Sequence, residues 1–478
     1  MRSSKRSAVL LASCASLGVS MSAFGQTASA ILRVGDMITP EGVTVSSVTQ
    51  TAASQTGGYA VNTNCSDGLS RVWGNFTGGA GDVIRTEGTF GTFMQTSFEA
   101  FFGVGGTSVA YSPLGSDSGF TGLDAVFVND SQVMAERVPH PSLPGQFWSF
   151  GSRPSVTAGG VPWFVGGITA TQGGSTSNRG LFTGASGEIV VLMGGQSVPG
   201  YAEPLNTATT VDFDYRVSSS GEHFIAPVVL TGATTADAAI VVDGSAAMAG
   251  GSVIREGTII PVAAGGDGVI LYQNFDFMGI TDSGMTLLTG DSNAATTADE
   301  FVMLNGSIIL RDGDTVSGQV VQGDIEGAYL NNNGDWGVIW DTATNTIETL
   351  IVNGAIVVRE GDTVDFDGDG VAEPDSILTA FTGTSSLAIG PRVNGAIDVY
   401  FIGTATVAAV SRTAAFHVRV LVGTSCPCDW NDDGVVNSQD FFNFLTDFFA
   451  DAADFNNDGA TNSQDFFDFL ACFFEACP

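Results

Sequence analysis

The sequence predicts an all-β repeat body, built as a seven-bladed β-propeller, followed by a small helical module. Three observations carry this. A phrase of two apolar strands ending in Arg-x-Gly-Asp, or a relic of it, recurs about every fifty residues between 31 and 422. Asn-Gly and Asp-Gly pairs sit between the paired strands, where a tight hairpin needs two residues at positive φ. From Asp429 onward the pattern changes to two loop-plus-helix copies 25 residues apart.

The chain opens with Arg2, Lys5 and Arg6, an apolar stretch from Ala8 to Phe24 and then small residues, the form of a secretory leader. Residues 1–25 are read as that leader, with cleavage as late as 30 left open. Leu11-Ala12-Ser13-Cys14 also has the apolar-small-small-Cys form of a lipid-attachment signal, but the apolar stretch runs on past Cys14. No other apolar run is long enough to span a bilayer, so the expectation is a secreted or cell-surface protein.

The body repeats most clearly in residues 301–314, F-V-M-L-N-G-S-I-I-L-R-D-G-D, and 350–362, L-I-V-N-G-A-I-V-V-R-E-G-D. Weaker copies end at Arg255-Glu256-Gly257 and Arg85-Thr86-Glu87-Gly88. A second hairpin precedes each, as in Tyr215–Ala226 and Ala328–Trp340, which makes four strands per unit. Anchored on Arg33, Arg85, Arg137, Met193, Arg255, Arg311 and Arg359, the units run 52, 52, 56, 62, 56 and 48 residues. Four antiparallel strands at this period suggest propeller blades, and seven anchors suggest seven. The first anchor lacks a hairpin before it and the last strands lack an anchor after them, so the N-terminal strand is expected to complete the last blade. Counts of six or eight stay open, and a parallel solenoid fits the hairpins less well. Arg-x-Gly-Asp is read as a structural corner because it recurs with the architecture. Adhesion through Arg-Gly-Asp would need an uninterrupted triplet.

Fifty acidic residues face 16 basic ones, for a net charge of −34, and the only lysine lies in the leader. This balance repels nucleic acid and anionic membranes and suits divalent cations. Catalytic signatures are absent: no H-E-x-x-H, no G-x-S-x-G, no phosphate loop and no Cys/His zinc cluster. His140, His223 and His417 are scattered and read as packing or surface residues. Trp73, Trp148, Trp163, Trp336 and Trp340 could stack on sugars or pack between blades, with Trp336 and Trp340 sharing one strand face.

Asp429–Asp440 reads D-W-N-D-D-G-V-V-N-S-Q-D and Asp454–Asp465 reads D-F-N-N-D-G-A-T-N-S-Q-D. Oxygen-bearing side chains fall at positions 1, 3, 5, 9 and 12, and Gly434 or Gly459 takes the sharp turn at position 6. Ca²⁺ takes about six to eight oxygens from such a loop. Asp365, Asp367 and Asp369, with Glu373, make a third calcium candidate that lacks the terminal carboxylate. After each loop comes D-F-F-x-F-L-x-x-F-F, an apolar helical stripe; the two stripes are expected to bury against each other about a pseudo-twofold axis. Cys426, Cys428, Cys472 and Cys477 bracket the loops as one or two disulfides of open connectivity, and Cys65 is left as a buried free thiol.

On these residues, 426–478 resembles a dockerin domain of the cysteine-flanked kind. The resemblance implies that Asp429, Asn431, Asp433, Asn437 and Asp440, with the Val435 carbonyl, hold one Ca²⁺. It implies that Asp454, Asn456, Asp458, Asn462 and Asp465, with the Ala460 carbonyl, hold the other. Ser438-Gln439 and Ser463-Gln464 would then face a cohesin-like or other cell-surface partner, and their identity would permit two binding orientations. The helices depart from the family in carrying no Lys or Arg. Two functions follow as expectations. One is a secreted, non-catalytic binding or structural protein held by its C-terminal module, with a glycan as a ligand open to the propeller. The alternative is an extracellular carbohydrate-active enzyme, a glycoside hydrolase or polysaccharide lyase, with an acidic cleft on the propeller.

Overall fold

A computed structural model describes residues 26–39, 41–77, 79–208, 215–343, 346–382 and 386–422, and, nearer the C-terminus, 428, 430, 436, 438–450, 453, 455 and 461–475. The chain divides into two compact units, Ala23–Val422 and a C-terminal unit within Gly423–Pro478. The leader expected at 1–25 lies outside the described residues.

The first unit is a ring of seven antiparallel sheets. Blades 1 to 6 take the strands of Met37–Thr86, Thr89–Ala135, Phe147–Met193, Arg216–Ala246, Met278–Arg311 and Thr315–Arg359 in chain order. Blade 7 takes those of Ser376–Leu421. Its outermost strand is Ser29–Arg33, which pairs with Val410–Leu421 through Ser29↔His417 and Arg33↔Ala414. The ring therefore closes with the N-terminal strand, as the unpaired first anchor implied. The tight turns are as expected: Asn305-Gly306, Asn353-Gly354 and Asp243-Gly244 hold φ of 49° and 76°, 49° and 82°, and 50° and 77°.

Apolar side chains fill the seams between blades. Leu32, Val45, Tyr59, Tyr400 and Ile402 pack blade 7 on blade 1. Val126, Met134, Trp148 and Phe164 join blades 2 and 3, and Trp163, Leu181, Phe224 and Val241 join blades 3 and 4. Leu287, Val302, Val338 and Trp340 join blades 5 and 6. Between blades 6 and 7 the seam is partly polar: Asn331 Nδ2 donates to the Gly390 carbonyl at 2.7 Å, and Arg392 pairs with the buried Asp335.

Each Arg-x-Gly-Asp is a corner. In Arg311-Asp312-Gly313-Asp314, the Asp314 N–H donates to the Arg311 carbonyl at 3.0 Å and the Arg311 N–H returns to Asp314 Oδ2 at 2.9 Å. Gly313 sits at φ 88°, which a side chain would strain. The corner then reaches the next blade: the Gly313 N–H donates to the Val321 carbonyl and the Val321 N–H to that of Asp314, at 2.9 and 3.0 Å. The same pair of bonds joins Gly35 and Asp36 to Val45, and Gly361 and Asp362 to Leu378. It recurs where Gly195 and Gln196 meet Leu205, and where Gly257 and Thr258 meet Tyr272.

Two anchors differ from expectation. Arg137 is not the first residue of its corner: the turn is Ala135–Val138, and Arg137 takes the glycine position at φ 71°, donating to the Trp148 carbonyl at 2.8 Å. After Arg85, Gln95 replaces half of the backbone pair, its Oε1 accepting the Gly88 N–H at 3.1 Å.

The C-terminal unit contains α1 (Ser438–Phe449) and α2 (Ser463–Glu475). Phe444 stacks on Phe469, its counterpart 25 residues on, with centroids 4.0 Å apart. Phe448 meets Phe466 at 5.8 Å and Phe441 meets Phe473 at 6.0 Å, and exchanging the two copies turns one pair into the other. The helices therefore pair about a pseudo-twofold axis, and Cys428 is disulfide-bonded to Cys472. Cys426 and Cys477 lie outside the described residues. The stripes are only half buried against each other: Phe442, Phe449, Phe467 and Phe474 are exposed, in symmetric positions. A stripe that spans both i, i+3, i+4 and i+1 positions is wider than one helix–helix contact can cover.

Leu32, on the closing strand, is 3% exposed and packs in the seam between blades 7 and 1. Leu32→Ala should therefore cost about 2–5 kcal/mol in denaturant unfolding of the propeller, whereas Phe474→Ala should change stability by less than about 0.5 kcal/mol. An unchanged unfolding midpoint for Leu32→Ala would mean that the closing strand lies outside the cooperative unit.

Candidate functional site

The best-formed candidate metal centre in the propeller is the loop after blade 6. One carboxylate oxygen each from Asp365, Asp367, Asp369 and Glu373 lies within 4.8 Å of the others. Gly368 and Gly370, at φ 85° and 91°, let the chain curl tightly enough to bring them together. Asp365 is fully buried; its Oδ1 accepts the Gly368 N–H at 2.7 Å and its Oδ2 accepts the Gly370 N–H at 2.8 Å. Glu373 Oε2 accepts the Phe366 N–H at 2.9 Å. An all-oxygen, anionic donor set of this kind fits Ca²⁺. The loop also grips the closing strand. The Ala30 N–H donates to the Asp365 carbonyl at 2.8 Å, the Asp365 N–H donates to that of Ala28 at 3.0 Å, and Arg33 Nη1 donates to that of Phe366 at 2.8 Å.

Of the two C-terminal loops, Asp440, Asn462 and Asp465 fall among the described residues. Asp429, Asn431, Asp433, Val435, Asn437, Asp454, Asn456, Asp458 and Ala460 lie outside them. Asp440 and Asp465 occupy the first turns of α1 and α2 and are both fully buried. Asp465 Oδ1 accepts the Phe455 N–H at 2.9 Å and Oδ2 accepts the Asn462 N–H at 2.7 Å, so this carboxylate draws both ends of its loop inward. A buried carboxylate at the last position of an oxygen-rich loop is what a calcium loop requires. Ser438, Gln439, Ser463 and Gln464 are exposed beside these turns.

A cavity of about 180 Å³ lies where the seven blades converge, and each blade lends it residues. Gln50, Arg153, Tyr215, Arg216, Tyr329 and Asn332 supply its polar and aromatic surface, and among the described residues none that lines it is Asp, Glu, His or Cys. The Tyr215 hydroxyl donates to the Arg153 carbonyl at 2.9 Å, fixing one wall.

The tryptophans are packing residues. Trp148, Trp163, Trp336 and Trp340 are buried, and the half-buried Trp73 leans on Tyr59. Trp336 and Trp340 do share a face, and it is turned into the seam between blades 5 and 6. His140 is buried against Trp148, and burial pushes its pKa down to about 4. His223 and His417 pair with Asp243 and Asp398. Cys65 is buried and free, its thiol pushed up by burial.

Sequence reasoning missed one feature, two rows of carboxylates that only strand register brings together. In blade 6, Asp341 lies opposite Glu348, and the Glu360 N–H donates to the Glu348 carbonyl at 3.0 Å. In blade 5, Asp291 lies opposite Glu300, and Asp312 takes the place of Glu360. Burial raises all three carboxyls first; the charges of Glu360 and Asp341 add to it at Glu348, that of Asp341 at Glu360, and that of Asp324 at Asp341. The only sequence signal is the acidic x of Arg-x-Gly-Asp, with acidic residues flanking the preceding hairpin.

No family model matches the chain, and no curated protein matches it. Among solved structures, it is similar to Raptor of Chaetomium thermophilum, 11% identical, with 83% of this chain and 30% of that chain covered and a TM-score of 0.37. It is similar to an alpha-L-arabinanase of Penicillium chrysogenum, 11% identical, with 83% and 98% covered and a TM-score of 0.30. It is also similar to prolyl oligopeptidase B of Galerina marginata, 13% identical, with 75% and 48% covered and a TM-score of 0.36. The chain thus spans less than half of Raptor and of the oligopeptidase. At these scores the likenesses carry no functional argument, and the assignment of seven blades rests on the strand order itself.

The structural part played by the Asp365 loop can be separated from metal binding. Asp365→Ala removes backbone caps and should destabilise the protein by about 1.5–3 kcal/mol even in EDTA. The exposed Asp367, changed to Ala, should lower the melting temperature only where Ca²⁺ is present. Equal losses in EDTA for both variants would leave the loop no metal-specific role.

Proposed function

We propose that the protein is exported and non-catalytic, a binding or structural propeller held to a cell-surface or scaffold partner by a calcium-dependent C-terminal module. The observation that carries this reading is the pseudo-twofold module itself. Asp440 and Asp465 are buried at the starts of two paired helices, and exposed residues flank both. Asp429, Asn431, Asp433, Val435, Asn437 and Asp440 would hold one Ca²⁺, and Asp454, Asn456, Asp458, Ala460, Asn462 and Asp465 a second. Bound Ca²⁺ would neutralise carboxylates that a small module cannot otherwise gather, so folding and partner binding would share one dependence on the ion.

The partner face is the symmetric surface around Ser438, Gln439 and Phe442 and its copy around Ser463, Gln464 and Phe467. The exposed phenylalanines supply apolar area where the family uses basic side chains, so the partner's groove would be apolar and hydroxyl-lined rather than acidic. The dockerin resemblance supports a cohesin-like fold for that partner.

A non-catalytic reading of the propeller draws on its central cavity, where the described lining residues are neutral or basic. The buried tryptophans likewise offer no stacking platform for a sugar. Leader cleavage after Gly25 would leave the closing strand Ser29–Arg33 whole. Cleavage after Ala30 would remove part of it.

Two measurements test this. Full-length protein should bind envelope or scaffold fractions in Ca²⁺ and be released by EDTA, and Asp440→Ala with Asp465→Ala should weaken binding at least about tenfold, a loss of about 1.4 kcal/mol. Binding that survives EDTA overturns calcium-dependent docking. Reducing-sugar release from a polysaccharide panel should stay at background, and turnover abolished by one carboxylate substitution would establish an enzyme instead.

A further inference from the structure

The acidic row of blade 5 differs from its twin in one respect. In blade 6 the row is satisfied by backbone donors: Glu348 Oε2 accepts the N–H of Phe381 in blade 7 at 2.7 Å, and Glu360 Oε2 accepts the Glu348 N–H at 3.3 Å. In blade 5 the x position of the corner is Asp312, one methylene shorter, and its Oδ1 turns to the Gly323 N–H at 3.1 Å instead. Glu300 is left 8% exposed, and its Oε2 has no hydrogen-bond partner. Asp312 Oδ2, also buried, has none either.

Asp276 joins the row from the segment entering the blade. Its N–H donates to the Thr289 carbonyl at 3.1 Å, and Asn274 Nδ2 donates to its Oδ1 at 2.8 Å. One carboxylate oxygen each of Asp276, Asp291 and Glu300 then lies within 4.8 Å of the others. Asp276 and Asp291 are half buried, which leaves a way in from solvent.

We propose that Asp276, Asp291 and Glu300 form a further divalent-cation site, selective for a hard, oxygen-preferring ion of the Ca²⁺ class. A buried carboxylate oxygen without a donor must either carry a proton or meet a cation, because burying it charged and alone is costly. Without a cation, burial, a hydrogen bond with Asp291 and the charges of Asp291, Asp276 and Asp312 push the Glu300 carboxyl well above the usual carboxylate range, toward the protonated form. A bound dication reverses this and makes the three carboxylates a compact oxygen donor set, with water free to complete the shell. The site is separate from the Asp365 loop and from the C-terminal module, and it would tie three adjacent strands of one blade together at their ends. Its truth does not depend on the docking reading.

The test uses the full-length protein, with Ca²⁺ as the probe. Bound Ca²⁺ is measured by elemental analysis after gel filtration, and melting temperature is measured in EDTA and in Ca²⁺, for wild type, Glu300→Gln and Asp276→Asn. Each variant is expected to hold one Ca²⁺ fewer per chain. Glu300→Gln, isosteric with the protonated acid, should melt close to wild type in EDTA, yet gain less on adding Ca²⁺. Should Glu300→Gln fail to fold, Asp276→Asn at the rim of the row carries the same measurement. Unchanged Ca²⁺ content and an unchanged Ca²⁺-induced gain in the folded variants would overturn the site and leave a proton as what neutralises the row. Loss of partner binding with these readouts intact would instead count against the docking module alone.

Discussion

The propeller depends on a two-bond stitch between blades. A glycine N–H at the end of one sheet donates to a carbonyl of the chain entering the next, and that residue's own N–H returns to the corner's last carbonyl. The stitch sets where each blade begins relative to the last one, and the apolar seams then follow from that placement. It also explains the recurrence of Arg-x-Gly-Asp. Glycine is needed at positive φ, the aspartate carboxylate caps the first N–H of the corner, and the arginine ends an outer strand at the rim.

A chain this acidic must manage repulsion wherever its corners place carboxylates side by side. It uses several devices. Arg33 and Arg359 pair with the aspartates of their own corners, and backbone N–H groups cap Asp365, Glu348 and Glu360. Arg71, buried in blade 1, takes both Asp67 and Glu41, holding Asp67 down to about 2. Where no donor is at hand, as at Glu300, the charge must be suppressed or shared with an ion. The pattern makes a carboxylate without a donor a consequence of the architecture.

Much of the body was legible because its signals are local. Asn305-Gly306 and Asn353-Gly354 demand a turn that only a two-residue hairpin uses, and the unpaired strands at the two ends of the repeat could only pair with each other. Arg137 misled because its corner keeps the backbone geometry while discarding the glycine, so the letters aligned two residues out of phase. The wide phenylalanine stripes announced a helix pair but not which rings would stay outside, since that depends on the crossing of α1 and α2. The blade 5 row was illegible for a different reason. Asp276, Asp291 and Glu300 are separated by a hairpin and a long loop, and they meet only through pairing register and through the length of one side chain at position 312.

Closure by Ser29–Arg33 carries a kinetic consequence. The contact joins the first strand to the last hairpin, among the longest sequence separations the fold contains, and such contacts form late and slowly. Until they form, Val410–Leu421 presents an open sheet edge, which a Ser29–Arg33 segment of another molecule could occupy as readily as its own. At high concentration, refolding would then partition between closed rings and reciprocally strand-exchanged dimers, with the grip of the Asp365 loop on Ala28 and Ala30 biasing the competition toward the ring that holds its own strand.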